Sequence, residues 1–135
     1  MKKKICLVIA NYYPIISNGL LKGANKTLRD MNLKISKKFI APGVFEIPII
    51  ISKNINKFDA FIALGCVIKG ETPHFEFISS SSINALMHLS ITHKKPIGNG
   101  IITSLNKKQA LIRSNPNKKN KGGEAAKAII SVLGI

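Results

Sequence analysis

Gly70, Glu71, Thr72, Pro73, His74 and Phe75 set a turn signal, a helix start and a titratable side chain next to one another. An apolar run over residues 61–68 leads into them and a helix-like segment follows. A turn that leaves a buried strand and opens a helix can hold an anion. The first helical N–H groups have no partner within the helix, and the helix dipole favours negative charge there. Thr72 suits the cap of such a helix and Pro73 its first position. His74 then stands beside whatever the turn binds, and an imidazole can move protons near neutral pH. The predicted chemistry is phosphate binding coupled to proton transfer.

Other side chains join this stretch with less definite roles. Among the six acidic residues, Glu46 and Glu71 fall in the segments just beyond the strand ends. Glu46 reads equally as a carboxylate favoured by a helix N-terminus and as an acceptor for a hydroxyl-rich ligand. No two carboxylates are spaced on one predicted face, so a hydrolytic pair is not expected. Arg113 ends a short helix ahead of a lysine-rich loop, where it either grips a phosphate with two N–H groups or is an ordinary surface cation. Tyr12 and Tyr13 either stack on a planar ring or cover the sheet end. The histidines form no metal-ligand pattern, and His88 and His93 read as surface residues. Cys6 and Cys66 lie in apolar runs and read as small buried hydrophobes. Neither Gly-x-Gly-x-x-Gly nor Gly-x4-Gly-Lys-Ser/Thr occurs, which disfavours nucleotide binding through the usual loops.

The elements that must position these residues follow from the apolar periodicity. Residues 5–10 form an unbroken apolar run, the mark of a strand buried on both faces. Ile16, Leu20, Leu21, Ala24 and Leu28 recur at helical spacing within 15–31. Residues 33–40 alternate apolar and basic, as an edge strand does. A helix over 44–54 carries Pro48 in its early part. A third strand lies within 58–68, a long helix covers 74–92 and a fourth strand covers 96–102. Asn106 and Gln109 make a capping-box pattern for a short helix toward Arg113. Residues 114–120 are a polar loop, and 121–133 form the closing helix. Such alternation predicts right-handed crossovers and a three-layer α/β/α sandwich on a four-stranded parallel sheet. Ligands of such sheets bind beyond the carboxyl ends of the strands. Those ends, 11–14, 41–46, 66–74 and 97–103, hold most of the residues singled out above.

At 135 residues with 45% hydrophobic content, one domain is expected over the whole chain. No apolar run approaches the roughly 18 residues of a membrane span. The basic start, Met1 to Lys4, is followed by too short an apolar run for a secretory signal, so a cytoplasmic protein without membrane association is expected. The net charge is +15, yet only Arg29 and Arg113 of the 21 basic residues are arginine. Base-reading and stacking roles favour arginine. A solvated basic surface that draws in anionic small substrates is therefore favoured over specific nucleic-acid binding.

Several segments together resemble the 6,7-dimethyl-8-ribityllumazine synthase family: Pro42-Gly43-Val44-Phe45-Glu46-Ile47-Pro48, residues 63–75 with their Gly-Glu-Thr-Pro-His-Phe block, Gly100-Ile101-Ile102-Thr103, and Asn120-Lys121-Gly122 with Glu124-Ala125-Ala126. Leu20 to Ala24 fits that family's first helix, and the match runs in order over nearly the whole chain. The resemblance implies a flavodoxin-like fold and a riboflavin-pathway transferase. A pyrimidinedione amine would condense with 3,4-dihydroxy-2-butanone 4-phosphate, without metal or organic cofactor. It implies His74 as the proton-transfer residue. It implies Glu71 and Thr72, mainly through backbone, as phosphate holders together with an Arg113 from a neighbouring subunit. Val44, Phe45, Glu46 and the backbone of Cys66, Val67 and Ile68 would contact the ribityl chain and ring. Tyr12 would stack, Asn99 would stand where the family commonly lines the neighbour's site with an aromatic, and Lys121 with Glu124 would support the phosphate side. A homopentamer is implied, with an icosahedral shell and an association with riboflavin synthase as further expectations. The first loop departs from the family's basic residue, Phe and Asn, reading Asn11-Tyr12-Tyr13 instead. Three alternatives compete: an archaeal-type riboflavin synthase, a basic nucleic-acid-binding protein, and a shell protein that has lost activity.

Overall fold

The computed structural model describes residues 2–135. Its elements run β1 (Ile5–Ala10), α1 (Pro14–Asp30), β2 (Lys37–Ala41), a single 3-10 turn (Val44–Glu46), α2 (Ile47–Asn54), β3 (Ala60–Ile68), α3 (His74–His93), β4 (Ile97–Ser104), α4 (Lys107–Ser114) and α5 (Lys121–Leu133). The four strands form one sheet in the order β2-β1-β3-β4, and every neighbouring pair is parallel. The expected three-layer, flavodoxin-like α/β/α architecture is the one observed.

The continuous apolar runs make sense once the sheet is seen to be covered on both faces. Ile5, Leu7 and Ile9 of β1 pack with Ile62, Leu64 and Cys66 of β3 against Ile16, Leu20 and Leu28 of α1 and Ile129 of α5. The intervening Cys6, Val8 and Ala10, with Phe61 and Ala63, pack instead against Val44, Ile47, Ile51 and Leu86 on the other side. The strand period of two therefore divides one run between two cores, as expected of a parallel sheet with helices on each face.

Some boundaries differ from the sequence reading. The second strand occupies Lys37–Ala41, not 33–40. Its partner β1 begins only at Ile5, and the ladder opens with Cys6 opposite Lys37, so residues 33–36 have no strand to pair with. Ser36 ties the approach down: its amide donates to the Ile5 carbonyl at 2.8 Å and its hydroxyl accepts from the Ile5 amide at 3.0 Å. The helix predicted over 44–54 is split. Pro48 has no N–H to give a carbonyl one α-turn back, so Val44–Glu46 is a 3-10 turn and the α-helix starts at Ile47. The fourth strand runs to Ser104, with Thr103 and Ser104 paired to Val67 and Ile68. Phe75, Ile78, Ile83, Leu86 and Leu89 of α3 recur at roughly helical spacing, as on one side of a helix, but only Leu86 is buried. Phe77, Met87 and Ile91 of that helix face outward.

Candidate active site

The chain goes from β1 outward to β2, then returns to place β3 on the other side of β1. The strand order reverses between β1 and β3, and a crevice opens beyond their carboxyl ends, the usual ligand position in such sheets. Here the crevice is a cleft of about 650 Å³. Its walls are Tyr12 and Tyr13 after β1, Pro42 to Glu46 after β2, Cys66 to Ile68 at the end of β3, and His74 with Ile78 from α3.

Each wall has a local cause. Ser17 donates its hydroxyl to the Ala10 carbonyl at 3.2 Å and its amide to the Tyr13 carbonyl at 2.9 Å, which fixes the first loop over the start of α1. Tyr12 and Tyr13 meet edge to face with centroids 4.9 Å apart. Tyr12 is 72% exposed while Tyr13 is half-buried. Burial, followed by the nearby Cys66 thiol and Tyr12 phenol, pushes the Tyr13 hydroxyl above its ordinary pKa. The turn of Val44–Glu46 sits close on β3 because Gly65 has no side chain. A Cβ there would stand 2.8 Å from Val44 Cγ2. Val44 is thereby buried under the cleft, Phe45 is 61% exposed at its lip, and Glu46 is half-buried between them. Burial pushes the Cys66 thiol up to about 11, so it stays protonated and serves as apolar wall.

The turn after β3 is anchored at its base by Lys69, whose amide donates to the Ser104 carbonyl at 2.9 Å. Beyond it, Gly70 to His74 are exposed. The helix starts at His74, with Pro73 in the cap position and no side-chain cap bond. This corrects the assignment of Thr72 as cap and Pro73 as first helical residue by one position. Thr72 still turns toward the helix: its hydroxyl accepts from the His74 amide at 3.4 Å. The His74 imidazole has no protein hydrogen-bond partner among the described residues and projects at the mouth of the cleft. Glu71 and Thr72 are not among the residues that line this cleft.

The remaining predicted residues lie elsewhere. Arg113 and Lys121 line a second cavity of about 470 Å³ beside the outer edge of β4, together with Thr103, Gln109, Lys119 and Glu124. It shares no residue with the cleft. Arg113 Nη1 donates to the Thr103 carbonyl at 2.9 Å, which holds the guanidinium at the strand end. Lys121 Nζ pairs with Glu124 at 3.3 Å. Asn99 is in a third place. It is exposed on β4 beside a small cavity of about 80 Å³, and its Oδ1 accepts from the Ile101 amide at 3.1 Å. Sequence reasoning missed Ile78, whose helical spacing marked it only as core, and Lys119, which looked like one more solvated lysine. No group of three or more His, Cys, Asp or Glu side chains converges among the described residues.

One chain thus carries a ring-sized cleft with a free imidazole at its mouth and, apart from it, a cationic cavity. Known proteins with this sequence pattern are numerous. The family model for 6,7-dimethyl-8-ribityllumazine synthase matches residues 2–135. A 6,7-dimethyl-8-ribityllumazine synthase of Bartonella tribocorum is 41% identical over 140 residues, spanning 100% of this chain and 92% of its own length. One from Zymomonas mobilis is 40% identical over 134 residues, spanning 98% of this chain and 95% of its own. Rhodopseudomonas palustris has a 6,7-dimethyl-8-ribityllumazine synthase 1 that is 41% identical over 139 residues, spanning 98% and 85%. With the pattern held from end to end on the fold and crevice just described, the chain belongs to the 6,7-dimethyl-8-ribityllumazine synthase family.

Proposed function

We infer that this chain condenses 5-amino-6-(D-ribitylamino)uracil with 3,4-dihydroxy-2-butanone 4-phosphate to give 6,7-dimethyl-8-ribityllumazine, releasing phosphate and water. This is the penultimate step of riboflavin biosynthesis, carried out by one lumazine-synthase-like domain. The observation that carries the reading is the position of His74 at the mouth of a cleft walled by Tyr12, Val44 to Glu46 and Cys66 to Ile68. The pyrimidine and its ribityl chain occupy that cleft. Phe45 and Tyr12 offer ring faces, and Glu46 accepts from ribityl hydroxyls. The free amine attacks the ketone to form an imine, and phosphate leaves. It departs with loss of the C3 proton, leaving an enol that tautomerises to a new carbonyl at C3. The ribityl-bearing nitrogen attacks this carbonyl, water is lost and the ring closes. His74 moves protons during these steps. Holding the two reactants together supplies much of the acceleration.

The phosphate needs positive charge that the cleft of a single chain does not contain. Arg113 and Lys121 lie in a cavity of their own, which supports a site completed by a neighbouring subunit. A cyclic homopentamer meets that need, since each copy offers its cleft to one neighbour and its cationic edge to the other. The exposed apolar side chains of Phe45, Ile49, Phe77, Met87 and Ile91 favour burial between copies. Among the described residues no helix is long and apolar enough to cross a membrane, in keeping with a cytoplasmic enzyme acting on small molecules.

Mixing the purified protein with both substrates and following lumazine absorbance and phosphate release tests the reading. Product must form faster than the uncatalysed background; a folded, oligomeric protein that fails to achieve this overturns it. Arg113→Ala is expected to raise KM for the phosphorylated substrate well above its effect on kcat. A normal KM in that variant counts against the phosphate role.

A further inference from the structure

We propose that Lys119 is a further phosphate-binding residue, which selects the phosphorylated substrate alongside Arg113. The inference rests on the reaction inferred above but concerns a residue to which that reaction assigns no part. The cavity beside β4 holds three cations and one carboxylate. The carboxylate, Glu124, is engaged by Lys121 at 3.3 Å. Arg113 and Lys119 have no carboxylate within ion-pairing distance among the described residues. An anion entering the cavity therefore meets two uncompensated charges, and Lys121 is the most neutralised of the three.

The backbone fixes where Lys119 stands. Its amide donates to the Ile112 carbonyl at 3.2 Å, which ties it to the last turn of the helix that carries Arg113. On either side, the amides of Lys118 and Asn120 both donate to the Asn115 carbonyl at 3.0 Å. Asn120 then takes a left-handed conformation, φ 50°, and its side chain accepts from the Gly123 amide at 3.1 Å to open α5. The loop is thus bonded at successive residues, and its course brings Lys119 to the cavity, while Lys118 is exposed and is not among that cavity's lining residues. A phosphate there meets the fork of Arg113, the point charge of Lys119 and the positive end of α5. Of these, Lys119 is the charge with the fewest competing partners.

Lys118 supplies the control, since it removes the same formal charge from the adjacent position. KM for the butanone phosphate, and the inhibition constant of inorganic phosphate, are measured at low ionic strength for the assembled wild type, Lys119→Ala, Lys119→Arg and Lys118→Ala. Lys119→Ala is expected to raise both constants roughly three- to five-fold, the span of a partly exposed ion pair, with little change in kcat. Lys119→Arg restores them, and Lys118→Ala leaves them near wild type. Equal effects in Lys118→Ala and Lys119→Ala mean that only the overall charge matters and overturn the proposal, as does an unchanged Lys119→Ala. If the wild type makes no lumazine, the inferred reaction is what fails. Calorimetric titration of the same variants with inorganic phosphate then still decides the role of Lys119, by weaker binding or by none.

Discussion

The His74 imidazole has no hydrogen-bond partner among the described residues and stands in the lining of the cleft. Replacing it with alanine removes the proton carrier of the proposed reaction without disturbing the core, because the residue is exposed at the start of α3. His74→Ala is expected to slow turnover by roughly 10²–10⁴-fold while the melting temperature stays put. A rate close to wild type in steady-state assays would remove the residue from the mechanism. The two thiols are the opposite case. Burial pushes Cys66 up to about 11, and burial outweighs the opposing charge of Lys37 to do the same for Cys6. Both are therefore protonated at pH 8, and the native protein should react with iodoacetamide far more slowly than the denatured one. Rapid native labelling would contradict this. Because the folded chain holds these protons more tightly than the unfolded one, stability should fall as pH rises from 9.0 toward about 11. Single residues of this kind were legible in the sequence when their type was unusual for their place, as with His74 after a buried strand. Lys119 was not, since one lysine among many carries no signal until a backbone bond shows where it is held.

Elements were legible wherever the pattern was local. The apolar run of β1, the helical spacing of α1 and the Asn106–Gln109 cap all appear in the structure. Asn106 accepts from the Gln109 amide at 2.9 Å, and the Gln109 side chain accepts from the Leu105 amide, one residue beyond the cap amide of the usual capping box. What the pattern could not give was the start of β2, because that depends on where β1 begins in another part of the chain. The same holds for the packing of α5 on α1. Gly122 lies where a Cβ would meet the Leu20 carbonyl oxygen, so two helix backbones touch at a point that the sequence marks only as one glycine beside another. Backbone cannot change rotamer to make room. Gly122→Ala is expected to destabilise the fold by roughly 1–3 kcal/mol, as overpacking of an interior does. Chemical denaturation measures this, and a variant of unchanged midpoint would mean that α5 can slide without cost.

For the molecule as a whole, the decisive feature is the separation of the cleft from the cationic cavity. The sequence named most residues of the cleft, and Arg113, Lys121 and Glu124 of the cationic cavity, yet nothing in a single chain's periodicity tells which of them share a cavity. If His74 acts in one subunit and Arg113 arrives from the next, two impaired proteins should rescue each other when assayed at substrate concentrations below the raised KM of Arg113→Ala. Dissociating and reassembling His74→Ala with Arg113→Ala in equal amounts should restore activity at about a quarter of the sites, those where an intact cleft faces an intact edge in a cyclic ring. No recovery from correctly reassembled mixtures would place both residues in the same subunit's site. The charge of +15 acts on this scale as well, drawing a phosphorylated substrate toward every site at low salt.

The outer margin of β4 is tied off by its own side chains, Asn99 on the Ile101 amide and Arg113 on the Thr103 carbonyl. An open sheet margin invites a foreign strand, and from there fibrils. Here two rungs of that ladder are already occupied. Contact between copies along this margin is thereby disfavoured as backbone pairing, which has no natural end. The arginine proposed to hold the phosphate thus also caps a backbone carbonyl that a foreign strand would need.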